Sequence, residues 1–152
     1  MVLLARERSN WYPACCWKRD RSARTIAISQ EAFVDSILSR FNLLDATTVS
    51  TPLALGSRLS VTDCLTSQDE IEEMATRPYR ELLGALARLA FGTRPDIAFA
   101  TSLLTSFTHN PGRVHWELAK RVLHYLKGTK KRGLKLGGKS PGTGMLTGKQ
   151  SR

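Results

Sequence analysis

Proline and glycine divide the stretch 78–128 into short segments, and this punctuation constrains the fold more than any other feature. Pro78 and Pro95 stand where helices begin, because proline is tolerated in the first turn of a helix but not in its interior. Helix ends follow at Gly92, at Asn110-Pro111-Gly112 and at Gly128. Apolar residues recur in each segment at the spacing of a helix with one buried face. The pattern predicts three packed helices, over about 78–91, 95–108 and 113–127.

A strand and a further helix are predicted ahead of these three. Residues 23–28 alternate polar and apolar side chains and include β-branched residues, which favours a strand. Ser29 is a favourable N-cap, and Glu31 lies in the first turn, where the helix dipole favours an acid. The apolar face that follows predicts an amphipathic helix over 30–41.

The remaining segments have weaker patterns. Residues 43–66 hold proline, glycine and many Ser and Thr, which predicts a long connection. The acidic run at 69–73 favours the solvent-facing side of a short helix near 67–75 rather than a metal site. Residues 133–136 fit a short strand, and the Gly-, Ser- and Lys-rich stretch 137–152 predicts a disordered basic tail.

Positive charge is concentrated near the end of the sequence. The net charge is +10, and residues 111–152 contain eleven Lys and Arg but one acid, Glu117. Residues 1–110 contain twelve basic and twelve acidic residues. This asymmetry favours a polyanionic partner, most often nucleic acid, although a solvated tail that keeps the chain soluble is the alternative.

Basic side chains lie largely opposite the apolar stripe of the helix predicted at 113–127, and they continue past its end. Basic groups on a rigid element can follow a phosphate backbone without reading its sequence. The candidate nucleic-acid-binding residues are Arg113, Lys120, Arg121, His124, Lys127, Lys130 and Lys131. Trp116 and Tyr125 lie among them, and we favour core packing for both over stacking on bases, because large aromatic side chains usually supply buried area.

The sequence offers no recognisable catalytic or metal centre. Two-metal phosphoryl transfer needs converging carboxylates, and no Asp-Asp pair occurs. The three histidines lack the spacing of a metalloprotease helix, and the three cysteines have poor zinc spacing and are expected to be free thiols. We therefore predict no catalytic residue and no metal ligand. No apolar run reaches the ~18 residues of a membrane span, so we expect an intracellular chain, cytoplasmic or nuclear.

Several motifs, in order, resemble the reverse transcriptases of copia-type retrotransposons. Residues 79–86 (YRELLGAL) resemble the family's Tyr-Arg-x-hydrophobic-hydrophobic-Gly-Ser-Leu stretch, and 93–97 (TRPDI) its Thr-Arg-Pro-Asp-Ile motif. Residues 115–129 (HWELAKRVLHYLKGT) are similar to its His-Trp-x-x-(Ala/Leu)-Lys-Arg motif, which ends in Tyr-Leu-Lys-Gly-Thr. Upstream, 24–30 (RTIAISQ) and 50–53 (STPL) match the family in the same order.

The resemblance implies both a fold and a role. It covers about 19–136 and implies a partial reverse transcriptase, namely the end of the palm, the thumb and the connection of an RNA-directed DNA polymerase with ribonuclease H. The expected fold is mainly α with a short β element, an incomplete α+β domain. The family's Mg²⁺-binding Tyr-Val-Asp-Asp hairpin lies upstream, so no cofactor is expected here. The implied partners are an RNA–DNA hybrid or duplex, held independently of sequence, and the missing parts of the polyprotein, with no membrane.

Departures from the family lead us to expect a truncated fragment. Residues 1–18 are unmatched and expected to be disordered, and the sequence ends without the Asp-rich opening of ribonuclease H. Arg88 stands where the family usually has an apolar or aromatic residue, which is tolerable only if its side chain reaches the surface. The alternatives are a non-catalytic basic nucleic-acid-binding protein and an inert remnant of a decayed element.

Overall fold

The computed structural model describes residues 15–54, 56, 59, 64, 68–138 and 149–150. These residues form the strands β1 (Cys16–Asp20), β2 (Thr25–Ser29), β3 (Leu134–Gly137) and β4 (Lys149–Gln150). They also form the helices α1 (Glu31–Arg40), α2 (Gln68–Ala75), α3 (Tyr79–Gly92), α4 (Ala98–Thr105) and α5 (Arg113–Gly128). A one-turn 3-10 helix, Pro95–Ile97, precedes α4. The fold is mainly helical with a small sheet, and it is compatible with the α+β class that we predicted.

The four strands form one antiparallel sheet in the order β1-β2-β3-β4. Asp20 pairs with Thr25 at the end of the β1–β2 hairpin, and Ile26 pairs with Leu136 of β3. Alternation along a strand places neighbouring side chains on opposite faces of the sheet. The strands predicted over 23–28 and 133–136 are confirmed as β2 and β3 within one or two residues.

The hydrophobic core lies among the helices. Within the described ranges, every buried hydrophobic residue is on a helix, and Leu82, Leu86, Leu89, Leu123 and Leu126 have no exposed surface. Burying one such side chain contributes roughly 2 kcal/mol to folding. The amphipathic faces predicted for these helices, and the buried positions expected for the two large aromatic residues of α5, are confirmed. Helical periodicity therefore identified the part of the chain that stabilises the fold.

The helix predicted over 95–108 is shorter than expected and begins with a tighter turn. Pro95–Ile97 is a 3-10 turn, and α4 ends at Thr105. Two threonine hydroxyl groups bond to backbone carbonyl groups at this end of α4. Thr105 Oγ1 donates to Thr101 O at 2.7 Å, and Thr108 Oγ1 donates to Thr105 O at 2.6 Å. Such side-chain bonds to the backbone offer an alternative to continued helix.

The start of α1 differs from the prediction. Ser29 belongs to β2 and is not the cap, while Gln30 stands at the N-cap position and makes no side-chain cap bond. The Gln30 Oε1 atom instead accepts a hydrogen bond from Thr93 Oγ1 at 2.8 Å, so this buried amide ties α1 to the end of α3. A Cβ atom at Gly92 would lie 2.6 Å from Gln30 Oε1, and glycine therefore allows this close approach.

The predicted chain ends are described only in part. We expected disorder over 1–18, whereas the described residues 16–18 form the start of β1 and pair with β2. The tail prediction, 137–152, lies largely outside the described residues, but Gly137 ends β3 and 149–150 form β4. Pairing with β2 stabilises β1, and pairing with β3 stabilises β4, although the sequences of these stretches alone carry no strand pattern.

Two further features concern the surface. The Arg88 side chain reaches solvent, and its guanidinium lies 5.3 Å from the centroid of the Phe33 ring, so the arginine at this unusual position costs no buried charge. Among the described residues, no helix has the length and apolar character that crossing a membrane requires.

Candidate nucleic-acid interface

Helix α5 carries all the candidate residues up to Lys127, and its opposite face is buried. Gly112 caps the helix, and its N–H donates to the Nδ1 atom of the buried His115 at 2.9 Å. This bond fixes the first turn. The helix is then held by a stripe of seven buried residues, His115, Trp116, Ala119, Val122, Leu123, Tyr125 and Leu126. The basic side chains consequently project away from the core.

Three of the seven candidate residues contact the connection that crosses α5. Lys127 Nζ donates to Ala46 O at 2.5 Å, and His124 Nδ1 lies 2.6 Å from Thr47 O. Arg121 Nη2 donates to Thr51 Oγ1 at 3.2 Å. We call residues 46–51 the strap. The strap covers the middle of the basic face, so these three side chains bind the protein's own backbone and hydroxyl oxygens.

Of the other four candidate residues, two form salt bridges and two are exposed. Lys120 forms a salt bridge with Glu117 at 2.8 Å, and Lys130 forms one with Asp35 at 3.1 Å. Arg113 and Lys131 are exposed at the two ends of the helix region. The structure therefore places all seven on or just beyond α5, but it leaves only part of the set open to a ligand.

A buried polar network joins the corner between α3 and α4 to the end of α5. Arg94, with 1% of its surface exposed, donates from Nε and Nη2 to the two carboxylate oxygens of Asp96 at 2.9 and 2.8 Å. Arg94 also donates to Thr129 O at 3.0 Å. Its guanidinium lies 5.6 Å from the centroid of the Tyr125 ring. Arg94 thus ties the helices together, the structural role that such an arginine beside Pro-Asp suggests.

The charge states of this network follow from its contacts. Burial alone would raise the pKa of Asp96, but hydrogen bonds from Arg94 and Tyr125 outweigh it and hold the pKa below its usual range. Burial raises the pKa of Tyr125, and the hydrogen bond from its hydroxyl to Asp96 Oδ2, at 2.7 Å, raises it further. The network is therefore an arginine cation, a carboxylate anion and a neutral phenol.

Sequence reasoning missed a second group of cations, on the sheet. Lys18, Arg19, Arg21 and Arg24 surround the turn between β1 and β2, and Lys135 lies on β3. All five residues are exposed. The signal was present as four basic residues within seven positions, but their arrangement around the turn depends on the strand pairing.

Acidic, histidine and cysteine side chains do not gather into a cluster in the described part of the chain. No group of three or more of them is placed to hold a metal ion there. The acidic helix α2 forms as predicted, and its Glu73 pairs with Arg77. The three cysteines are free thiols.

Comparison with known proteins finds relatives among transposon polyproteins. The chain is 42% identical over 123 residues to the retrovirus-related Pol polyprotein from transposon TNT 1-94 of Nicotiana tabacum, an alignment that covers 81% of this chain and 9% of that protein. It is 36% identical over 114 residues to the corresponding polyprotein from transposon RE2 of Arabidopsis thaliana, covering 75% and 7%. It is 38% identical over 107 residues to that from transposon RE1, covering 70% and 7%.

These similarities relate the chain to the Pol polyproteins of transposons. The chain is homologous to the retrovirus-related Pol polyproteins of transposons, which confirms the retrotransposon origin predicted from the motifs. It spans less than a tenth of the length of each of these three relatives. No family model matches the chain, and no solved structure matches it significantly.

Proposed function

We propose that this chain is the thumb and connection part of a copia-type reverse transcriptase and that it holds an RNA–DNA hybrid by its phosphate backbone. The homology to Pol polyproteins supports the origin, and the order of the motifs supports the position within the enzyme. The proposal assigns no catalytic residue to this chain. It places the family's Mg²⁺-dependent chemistry elsewhere in the polyprotein.

The observation that carries the proposal is the part of the basic face of α5 that the strap leaves open. The strap occupies Arg121, His124 and Lys127, so phosphate contacts fall to the remaining candidates. These candidates are Arg113, Lys120, Lys130 and Lys131. Since α5 has 16 residues, its ends lie roughly 24 Å apart, a distance over which a duplex presents many phosphates. Contacts of this kind position a nucleic acid without reading its bases.

Fluorescence anisotropy of a labelled RNA–DNA hybrid, titrated with the full chain at several salt concentrations, tests the proposal. We expect saturable, sequence-independent binding whose log affinity falls with log salt at a slope of roughly −3 to −5, since each neutralised phosphate contributes about −0.9. The variant Arg113→Ala/Lys131→Ala should reduce the magnitude of that slope by about 2.

The matched control is Arg40→Ala/Arg80→Ala, which removes two exposed positive charges from α1 and α3, one of them, Arg40, paired with Glu81. This control should keep the slope of the unmodified chain. Equal losses in both double variants would show that only net charge matters, and the proposed α5 surface would then be rejected. Absence of binding at low salt would reject the proposal as a whole.

A further inference from the structure

The β1–β2 hairpin and the neighbouring strand β3 carry a group of exposed cations. None of its members forms a salt bridge or a side-chain hydrogen bond with another described residue. The group consists of Lys18, Arg19, Arg21, Arg24 and Lys135. The nearest acid in sequence is Asp20, which leaves the segment 18–24 with a net charge of +3, from four basic residues and one acid. The hairpin cations therefore differ from most of those on α5, which already have partners.

Asp20 holds the turn, and its carboxylate also attracts Lys135. Its Oδ1 atom accepts hydrogen bonds from Ser22 N at 2.9 Å, from Ser22 Oγ at 2.6 Å and from Ala23 N at 3.0 Å. On the other side, Gly138 N donates to Arg24 O at 3.1 Å, which attaches the turn to the end of β3. The backbone beneath the cations is thus fixed before any ligand arrives, so binding would not have to order it.

The strand register places the cations on both faces of the hairpin. Arg19 pairs with Ile26 and shares its face of the sheet, whereas Lys18 pairs with Ala27, which in turn pairs with Lys135 on the opposite face. Arg21 and Arg24 occupy the turn itself and line, with Arg19, Asp20, Thr25 and Ile26, an open hollow beside the hairpin. Positive charge therefore surrounds the tip of the hairpin instead of covering one side.

We infer that this hairpin is a second phosphate-binding site and that its partner is a nucleic-acid duplex. Cations on both faces fit a ligand with phosphates on both sides, as the two strands that border a duplex groove provide. A single strand offers one row of phosphates, and an anionic membrane presents its charge on one side only. The inference rests on the proposed function, because the homology to Pol polyproteins is what favours nucleic acid over other polyanions.

Two double variants of the full chain test the two faces separately. Arg19→Ala/Arg21→Ala removes cations from the turn and one face, and Lys18→Ala/Lys135→Ala removes them from the other. We expect each variant to lower the affinity for an RNA–DNA hybrid about tenfold or more at 0.1 M salt and to reduce the salt slope by about 2. Both should leave the helical circular dichroism unchanged, because the buried core lies on the helices.

Four comparisons decide the outcome. The control Arg40→Ala/Arg80→Ala should bind as the unmodified chain does, and a single strand of the same length should lose less affinity than the hybrid. An equal loss in the control, a loss for one face only, or an equal loss on the single strand would overturn the inference. So would anionic phosphatidylserine vesicles whose binding depends on these residues while hybrid binding does not.

The result also separates this inference from the proposed function. If Arg113→Ala/Lys131→Ala weakens hybrid binding and neither hairpin variant does, the hairpin site is wrong and the α5 surface stands. If the hairpin variants alone weaken binding, the hairpin site stands and the α5 surface is wrong. Absence of hybrid binding at low salt overturns both.

Discussion

The buried network that joins the corner between α3 and α4 to the end of α5 and the β1–β2 hairpin both contain arginine, and they use it in opposite ways. Arg94 is 1% exposed and is surrounded by Asp96, Thr129 and Tyr125, whereas the hairpin's Arg19 and Arg21 are exposed and have no described partner. A charge removed from water stabilises a fold only when its partners replace the lost hydration. A charge left in water contributes little to stability and remains available to a ligand. The contrast shows that position in the fold, rather than the number of basic residues, decides which arginines can bind.

Among the variants that test this contrast, we expect the largest effect from Arg94→Ala, which should lower the stability of the fold. This substitution leaves the Asp96 carboxylate largely buried without its cation and removes two hydrogen bonds to Thr129. Breaking one side of such a pair typically costs about 3–5 kcal/mol. Equilibrium urea unfolding, followed by helical circular dichroism, measures the change in the free energy of unfolding.

Arg21→Ala is the matched control for Arg94→Ala. It removes the same side chain from an exposed turn position, and we expect a change within about 0.5 kcal/mol. Similar losses of stability in the two variants would contradict the contrast between the two regions. So would an Arg94→Ala chain as stable as the unmodified one.

A smaller effect is expected from acid. The folded pKa of Asp96 lies below its ordinary value of 3.8, so its contribution to stability is present above pH 3.8 and is lost as the pH falls through the folded pKa. Asp96→Asn should therefore flatten the loss of stability as the pH falls below about 4. Urea midpoints across that range measure the effect.

The hairpin again supplies the control for Asp96. The hydrogen bond from Ser22 lowers the pKa of Asp20, which gives the same direction of pH dependence, but this carboxylate is exposed to solvent. Asp20→Asn should flatten the acid profile less than Asp96→Asn does. A larger effect at Asp20 would mean that the turn, rather than the buried network, dominates the response to acid.

Helical periodicity and helix-ending residues predicted most of the fold. Segments such as 30–41 and 113–127 have apolar stripes long enough to specify a buried face, and α1 and α5 formed within a residue or two of them. β1 was missed because Cys16–Asp20 has no alternating pattern and is a strand only by pairing with β2. Local patterns predict elements that bury one face, but they do not predict pairing between distant segments.

The candidate interface was predicted less completely than the fold. The sequence located a basic face on α5, but it could not show that Ala46, Thr47 and Thr51 would cover its middle. Those contacts join positions 70–81 residues apart, and no local signal carries them. The hairpin cations were visible as single residues, while their arrangement on two faces depends on the strand register.

The smallest effects are expected from substitutions of two lysines in the same basic region. Lys127 donates to Ala46 O of the strap, whereas Lys131 is exposed. Lys127→Ala should lower the free energy of unfolding by about 1 kcal/mol and leave the salt slope of hybrid binding unchanged. Lys131→Ala should change stability by less than about 0.5 kcal/mol and reduce the slope by about 1. If Lys127→Ala reduced the slope as much as Lys131→Ala, the strap would yield to phosphate, and the covered face of α5 would belong to the binding surface.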